Sequence, residues 1–280
     1  MKVLLKKILP VAFLAVLFSN CKKQLLDINT DPNNPTTASA DPSLVLPAAL
    51  NNTAAIYSNP TADARFAFAG LWLGHISYSG NYAIATENIS YAITNNFAAA
   101  AFGNIYDNLE DYDFVQKKGA QIGNKFYTAV GTLMKAYNYQ TLVDLYNNVP
   151  YSEALQGTVA SKPKYDDAKA IYDDLSKQID TAIALLKTTA TGTLASGDIL
   201  FHGDGTKWLK FAYTVKLRLL LRQSERTDRA SYIQTEVAKL AGAAFLDVDA
   251  TVNPGFLNSA GKTNPFWGSN INTSGTYTQD

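Results

Sequence analysis

The sequence has almost no cysteine or histidine: one cysteine, Cys21, and two histidines, His75 and His202, in 280 residues. One cysteine cannot form an internal disulfide, and two histidines far apart in sequence are a poor start for a metal site. The H-E-x-x-H, G-x-S-x-G and Walker A patterns are absent, so zinc hydrolysis, elbow-serine hydrolysis and P-loop chemistry lack their usual frames. We therefore expect no enzyme, no metal and no other cofactor.

The chain also lacks an excess of charge of either sign. It carries 24 basic and 24 acidic residues, and without the three lysines of its N-terminal segment 21 basic residues remain against 24 acidic ones, a net charge of −3. Proteins that bind nucleic acid need a basic face to displace counterions from phosphates, so we do not expect a nucleic-acid partner. The hydrophobic fraction of 47% permits a core that is stable without disulfides.

Long hydrophobic runs are missing except near the N-terminus. There, residues 8–18 are apolar and follow three lysines, but a bilayer span needs about 20 such residues. A basic start, a short apolar run and a small or polar end predict a signal peptide over residues 1–20. Cys21 follows directly, which predicts that it becomes the lipid-acylated first residue of the mature protein. The alternative is an ordinary signal peptide followed by an incidental cysteine.

The rest of the chain has helical rather than strand periodicity. Residues 21–42 are polar and turn-rich and form a tether, whereas residues 43–280 form a single helical domain. Helix pairs joined by short connections predict an all-α fold of TPR-like stacked helical hairpins with long irregular loops. Asp166 is the expected N-cap of the fifth helix, and the sixth, which contains Trp208, is expected to be deeply buried. The expected helices cover residues 43–57, 62–78, 98–118, 125–146, 167–187, 206–225 and 229–244.

One expected loop, residues 79–94, has a composition suited to sugar binding. Sugars stack their apolar faces on aromatic rings while amide, carboxylate and hydroxyl groups bind their hydroxyls. The alternative is that the aromatic residues belong to the core and the loop is merely solvated. Residues 256–272, with Phe266 and Trp267, form a second, weaker candidate. The ligand-binding candidates in and before the first loop are Trp72, His75, Tyr78, Asn81, Tyr82, Glu87, Asn88 and Tyr91.

Neighbouring carboxylates and the remaining histidine need separate interpretations. Pairs such as Glu110 and Asp111, Asp166 and Asp167, or Asp173 and Asp174 could suggest a glycosidase, but solvated helix faces and first helical turns explain them better. His202 precedes a tight turn, which favours a structural role. For His75, both packing and ligand contact remain open.

Several ordered segments resemble a known family. Residues 144–155, DLYNNVPYSEAL, are similar to the D-x-Y-G-D-V-P-Y-S-E-A-L signature of SusD/RagB lipoproteins, with Asn147 and Asn148 in place of Gly and Asp. Residues 200–212 resemble the block Y-x-G-D-x-x-K-W-x-K-F-A, and residues 217–222 resemble L-R-L-A-L-R. Shorter matches lie at residues 26–33, 163–166 and 171–172.

This resemblance implies a function as well as a fold. It implies a non-catalytic lipoprotein that a lipid anchor at Cys21 holds in the outer membrane and that faces outward. Such a protein would capture oligosaccharides or peptides and deliver them to a TonB-dependent transporter of the SusC type. The alternative is a TPR-like surface adaptor or a truncated product without ligand-binding activity. Known members are longer, so we expect the chain to be C-terminally truncated at Asp280.

Overall fold

The computed structural model describes residues 39–58, 67–75, 77, 87, 90–95, 97, 99–189, 197–259, 262–264, 267, 271 and 275–277. The chain divides into two units, Met1–Ala40 and Asp41–Asp280, and only the second is described in any detail. The expected signal peptide, the lipidation site Cys21 and most of the tether lie outside the described residues.

Helices make up most of the regular structure in the described residues of the second unit, as expected. Its two short strands pair in antiparallel fashion, with Val149 opposite Asp166 and Pro150 opposite Tyr165. None of the described helices is both long and apolar enough to cross a bilayer. The helices are α1 (Pro42–Ser58), α2 (Ala67–Trp72), α3 (Ala99–Gln121), α4 (Lys125–Tyr146), α5 (Ala168–Lys187), α6 (Gly205–Leu221) and α7 (Ala230–Ala238); the strands are β1 (Val149–Pro150) and β2 (Tyr165–Asp166), and short 3₁₀ turns cover Gly157–Ala160 and Thr227–Arg229.

Helices α3 and α4 form a close helical hairpin. Asn124 caps α4 by accepting hydrogen bonds from the backbone N–H groups of Phe126 and Tyr127. Two glycines then let the helix backbones approach each other. A Cβ added to Gly119 would lie 2.6 Å from the backbone nitrogen of Thr128, and one added to Gly131 would lie 2.6 Å from that of Gln116. Such distances leave no room for any side chain, so glycine sets the spacing of this pair.

Successive helices stack on this hairpin and enclose one hydrophobic core. Helix α1 packs on α3, α4 on α5, and α5 on α6, so two helical hairpins lie side by side in TPR-like fashion. Trp208 near the start of α6 is fully buried, as expected of a core anchor. Its ring meets Phe126 of α4 and Phe201 of the preceding turn edge to face.

The structure corrects three details of the expected helices. Asp166 is not the N-cap of α5; it lies in β2, and Asp167 caps the helix by accepting from the N–H of Ala170. Helix α6 is not buried all round: Leu221 at its end is 60% exposed. Lys216, by contrast, is fully buried within the same helix. The last helix is shorter than expected, because a 3₁₀ turn precedes α7 and turns follow it.

Candidate functional site

The candidate site begins where α2 ends. The N–H of His75 donates to the carbonyl of Gly70 at 2.9 Å, and the N–H of Gly74 donates to the carbonyl of Leu71 at 3.2 Å. Together with the left-handed backbone of Gly74 (φ 70°), these two bonds form a Schellman motif. A sharp helix end of this kind fixes the direction of the last helical side chain, which is Trp72.

Trp72 lies at the centre of an aromatic cluster. Its ring stacks on Phe97 with centroids 5.6 Å apart and an interplanar angle of 3°, and it meets Tyr91 at 4.9 Å with an angle of 38°. Trp72 and Phe97 are half-buried, whereas Tyr91 is 60% exposed. Two of the predicted ligand-binding candidates, Trp72 and Tyr91, are therefore in contact, and Tyr91 is not a core residue. Phe97 was not among the candidates.

Glu87 holds the segment that carries Tyr91. Its Oε1 accepts hydrogen bonds from the backbone N–H of Thr94 at 3.1 Å and from the Thr94 hydroxyl. The N–H of Tyr91 donates to the Glu87 carbonyl at 3.1 Å, so a helical turn precedes Tyr91 where only loop was expected. Tyr91 itself adopts a left-handed backbone (φ 56°), which is uncommon for a residue with a large side chain. The exposed ring thus lies on a folded turn.

The other candidates are not brought into this cluster by the described residues. His75 is exposed just beyond the end of α2, while Tyr78, Asn81, Tyr82 and Asn88 lie outside the described residues. Phe266 of the second candidate segment also lies outside them, and Trp267 is 50% exposed. His202 is exposed with a left-handed backbone (φ 53°) in the turn before α6, in keeping with a structural role.

The signature segment after α4 is scaffold. Asn147 ends α4 with a left-handed backbone, and the side chain of Asn148 accepts from the N–H of Ala168 at the start of α5. Asp166 accepts from the N–H groups of Tyr151 and Ser152 at 3.1 and 2.7 Å. Burial raises the pKa of Asp166, but these hydrogen bonds outweigh burial and the net pKa is lowered. The two asparagines and the short sheet therefore join the two hairpins.

A polar cavity of about 310 Å³ lies beside this segment and was not expected from the sequence. Tyr151 packs on Tyr139 with ring centroids 4.7 Å apart and donates from its hydroxyl to Asp174 at 2.5 Å. Asp113, which also lines the cavity, is paired with both Lys117 and Lys135 at 2.6 Å. These polar groups already satisfy one another, so their arrangement stabilises the junction of α3, α4 and α5.

The carboxylates that are adjacent in sequence make different structural contacts. Asp173 pairs with Arg229, whereas Asp174 accepts from Tyr151. Burial, together with the nearby Asp107 and Glu110, raises the pKa of Asp111. Within the described part of the chain, no three His, Cys, Asp or Glu side chains are grouped so that they could hold a metal ion.

The stacked helical hairpins define an all-α, TPR-like scaffold, with the aromatic cluster beside α2. Residues 32–255 match the SusD-like family model described as "Starch-binding associating with outer membrane", and the chain belongs to this family. A comparison with curated proteins finds no match.

Solved structures support the same fold. A SusD/RagB family protein from Bacteroides thetaiotaomicron is 23% identical to this chain, with a TM-score of 0.64. The match covers 82% of this chain and 48% of that protein. A SusD homologue from Bacteroides fragilis is 20% identical with a TM-score of 0.60, with coverages of 86% and 48%. A chitin-binding SusD homologue from Flavobacterium johnsoniae is also 20% identical, with a TM-score of 0.56 and coverages of 75% and 47%. The chain thus spans about half the length of these relatives.

Proposed function

We propose that this protein captures oligosaccharides without catalysis and that the Trp72 cluster, defined as Trp72, Glu87, Tyr91 and Phe97, contributes to the binding surface. The observation that carries the proposal is the Tyr91 ring, 60% exposed and backed at 4.9 Å by Trp72. A ring supported from behind loses little side-chain entropy when a sugar stacks on its open face. Membership of a family described as starch-binding, and a relative described as chitin-binding, favour glycans over peptides.

Glu87 supplies a polar group beside the aromatic platform. Its Oε1 binds Thr94, and among the described residues no partner is recorded for its Oε2. A carboxylate oxygen accepts hydrogen bonds from sugar hydroxyls, and the fixed position of Oε1 orients the whole carboxylate. The cluster therefore combines an aromatic face with an acceptor, which are the two features that sugar recognition needs.

Calorimetric titration of the full chain with malto- and chito-oligosaccharides tests this proposal. Replacing Tyr91 with alanine is expected to weaken binding about tenfold, since the stacking face is lost. Tyr165→Ala is the matched control, because Tyr165 is equally exposed, at 65%, but lies in β2. Equal affinities of the two variants would rule out the Trp72 cluster as the binding surface. Saccharide length should be unchanged after incubation, and chain shortening would contradict the non-catalytic assignment.

We further propose attachment to the outer membrane through lipid at Cys21 and delivery of the sugar to a SusC-type TonB-dependent transporter. The position of Cys21 directly after the apolar run supports acylation. Labelling with a fatty-acid analogue is expected in the wild type and absent in Cys21→Ser. Protease treatment of intact cells tests exposure at the surface, and purification from native outer membranes tests the transporter complex. Absence of both sugar affinity and such a complex would favour the adaptor alternative.

A further inference from the structure

A small cavity lined by cations lies at the opposite end of α4 from its N-cap, against α5 and the segment that follows α6. It measures about 170 Å³, and its lining includes four cationic residues but no carboxylate. The cations are Lys169, Arg222, Arg226 and Arg229. Residues 222–229 contribute three of them, so the turn between α6 and α7 is the main source of charge.

Carboxylates anchor these cations from outside the cavity lining. Arg222 contacts Asp144 through Nε at 3.4 Å, and Arg226 binds Asp228 through Nε and Nη2 at 3.1 and 3.2 Å. Lys169 also pairs with Asp228, at 3.7 Å. Arg229 pairs with a third acid, Asp173. The four cations therefore have three carboxylates around them. The acids restrain the cations without cancelling all of their charge.

Arg229 is the rigid centre of this arrangement. It is 5% exposed, donates from Nε to Gln223 at 2.9 Å, binds Asp173 through Nη2, and lies 3.9 Å above the ring of Tyr232. A guanidinium has five N–H donors, and only some are used in these contacts. Within the described part of the chain, the contacts of Arg222, Arg226 and Arg229 use Nε and Nη2, and their Nη1 groups have no hydrogen-bond partner. Restrained guanidinium groups with spare donors are suited to binding oxyanions.

We propose that this cavity, the arginine cavity, binds a compact oxyanion: a carboxylate, sulfate or phosphate group. The donors are mainly the cationic side chains, since at the start of α5 the N–H groups of Ala168, Ala170 and Ile171 are already bound by Asn148 and Asp167. The site is separate from the Trp72 cluster and does not depend on oligosaccharide capture there. The oxyanion can be a free ion or the acidic group of a sugar, and either presents negatively charged oxygen atoms that accept hydrogen bonds from guanidinium groups.

The test is the thermal stability of the full chain titrated with sodium sulfate, phosphate, glucuronate and acetate, with sodium chloride added to hold ionic strength constant. Sulfate and glucuronate are expected to raise the melting temperature in a saturable way, whereas glucose, the neutral control, should not. Tighter binding of glucuronate than of acetate would identify an acidic sugar as the ligand source. Equal binding would identify the free anion. An unchanged melting temperature with all four salts would overturn the proposal.

Variants locate the effect in the arginine cavity. Lys169→Gln combined with Arg226→Gln should raise the half-saturating sulfate concentration at least about tenfold, because two charged donors are lost. Both side chains are more than half exposed, at 53% and 63%, so the fold should tolerate the change. Lys164→Gln with Lys207→Gln removes the same charge elsewhere and is the control. If both double variants weaken sulfate binding equally, the effect is general charge screening and the cavity is not the site.

Discussion

The indole Nε1 of Trp208 donates a hydrogen bond of 2.8 Å to Oδ2 of Asp198, and both side chains are buried. Asp198 also accepts from the backbone N–H groups of Leu200, Phe201 and Gly203 at 3.0, 3.1 and 2.7 Å. One carboxylate thus shapes the turn before α6 and orients the largest side chain of the core. The Gly-Asp-Gly and Lys-Trp sequences at residues 203–208 belong to this turn and to the first turn of α6.

Asp198→Ala should therefore be among the most destabilising polar substitutions in the protein. It leaves a buried indole N–H and three backbone N–H groups without their acceptor, and we expect a loss of at least about 3 kcal/mol in the free energy of unfolding. Asp204→Ala, which removes the N-cap of α6 and an exposed ion pair with Lys207, should cost about 1 kcal/mol. Urea denaturation of both variants measures the difference. Similar losses would show that Asp198 acts only as a turn residue.

The glycines of α3 and α4 give a second prediction: the same substitution, glycine to alanine, should lower the stability at one position and raise it at another. Gly131→Ala forces a Cβ to within 2.6 Å of the backbone of Gln116 and should destabilise the hairpin by about 1–3 kcal/mol. Gly103 lies in α3, and a Cβ added there would have no heavy atom within 4 Å. There the better helix propensity of alanine should stabilise the protein by about 0.5–1 kcal/mol. Thermal unfolding of both variants checks the prediction, and two changes of the same sign would contradict it.

These contacts indicate which features could be read from the sequence. Local signals sufficed for α4, whose bounds are those expected, because its N-cap and its turn residues are adjacent in the chain. The capping residue of α5 was misassigned because Asp166 pairs with Val149, a contact that periodicity does not report. Lys216 was not recognised as buried for the same reason: its partners lie on α5 and α7.

The candidate site follows the same pattern. Residue type alone pointed to Trp72, Glu87 and Tyr91, because aromatic and polar side chains mixed in one segment suit sugars. Phe97 was missed, since its stacking on Trp72 is a contact between residues distant in sequence, which residue type does not reveal. The cations of the arginine cavity were also missed, because Lys169 and residues 222–229 are distant in sequence and meet only through the packing of α5 against α6.

Asp166 leads to a prediction about pH. Against the effect of burial, its hydrogen bonds to Ser152 and Tyr151 hold the pKa of Asp166 below the ordinary value for an aspartate, so the folded state favours the charged carboxylate more than the unfolded state does. Its stabilising contribution is therefore complete above about pH 4 and is lost as the pH falls through the lowered pKa. The difference in melting temperature between wild type and Asp166→Asn should be present at neutral pH and shrink below about pH 4. Asp249→Asn, at an exposed loop position, is the control and should show no such trend.

Lys216 gives the last prediction, because its charge is fully buried in α6. Its Nζ donates to the Ser176 hydroxyl at 2.6 Å and pairs with Asp180 and Glu236, each at 2.8 Å. Lys216→Met removes the cation at the centre of this network, although Glu236 keeps Lys239 as a partner at 2.6 Å and Asp180 is 42% exposed. We therefore expect a cost of about 3 kcal/mol in the free energy of unfolding, at the low end for breaking a buried ion pair. Lys210→Met, which breaks a largely exposed pair with Asp247, should cost at most about 1 kcal/mol.

A double variant separates the loss of packing at this position from the loss of charge. In Lys216→Met combined with Glu236→Gln, the buried carboxylate that would be left with only Lys239 as its partner is also removed, so part of the lost stability should return. Urea denaturation at one fixed pH compares the single and double variants. If the double variant is as unstable as Lys216→Met alone, the lysine stabilises the fold through its hydrogen bonds to Ser176 and its aliphatic packing, and the ion pair with Glu236 contributes little.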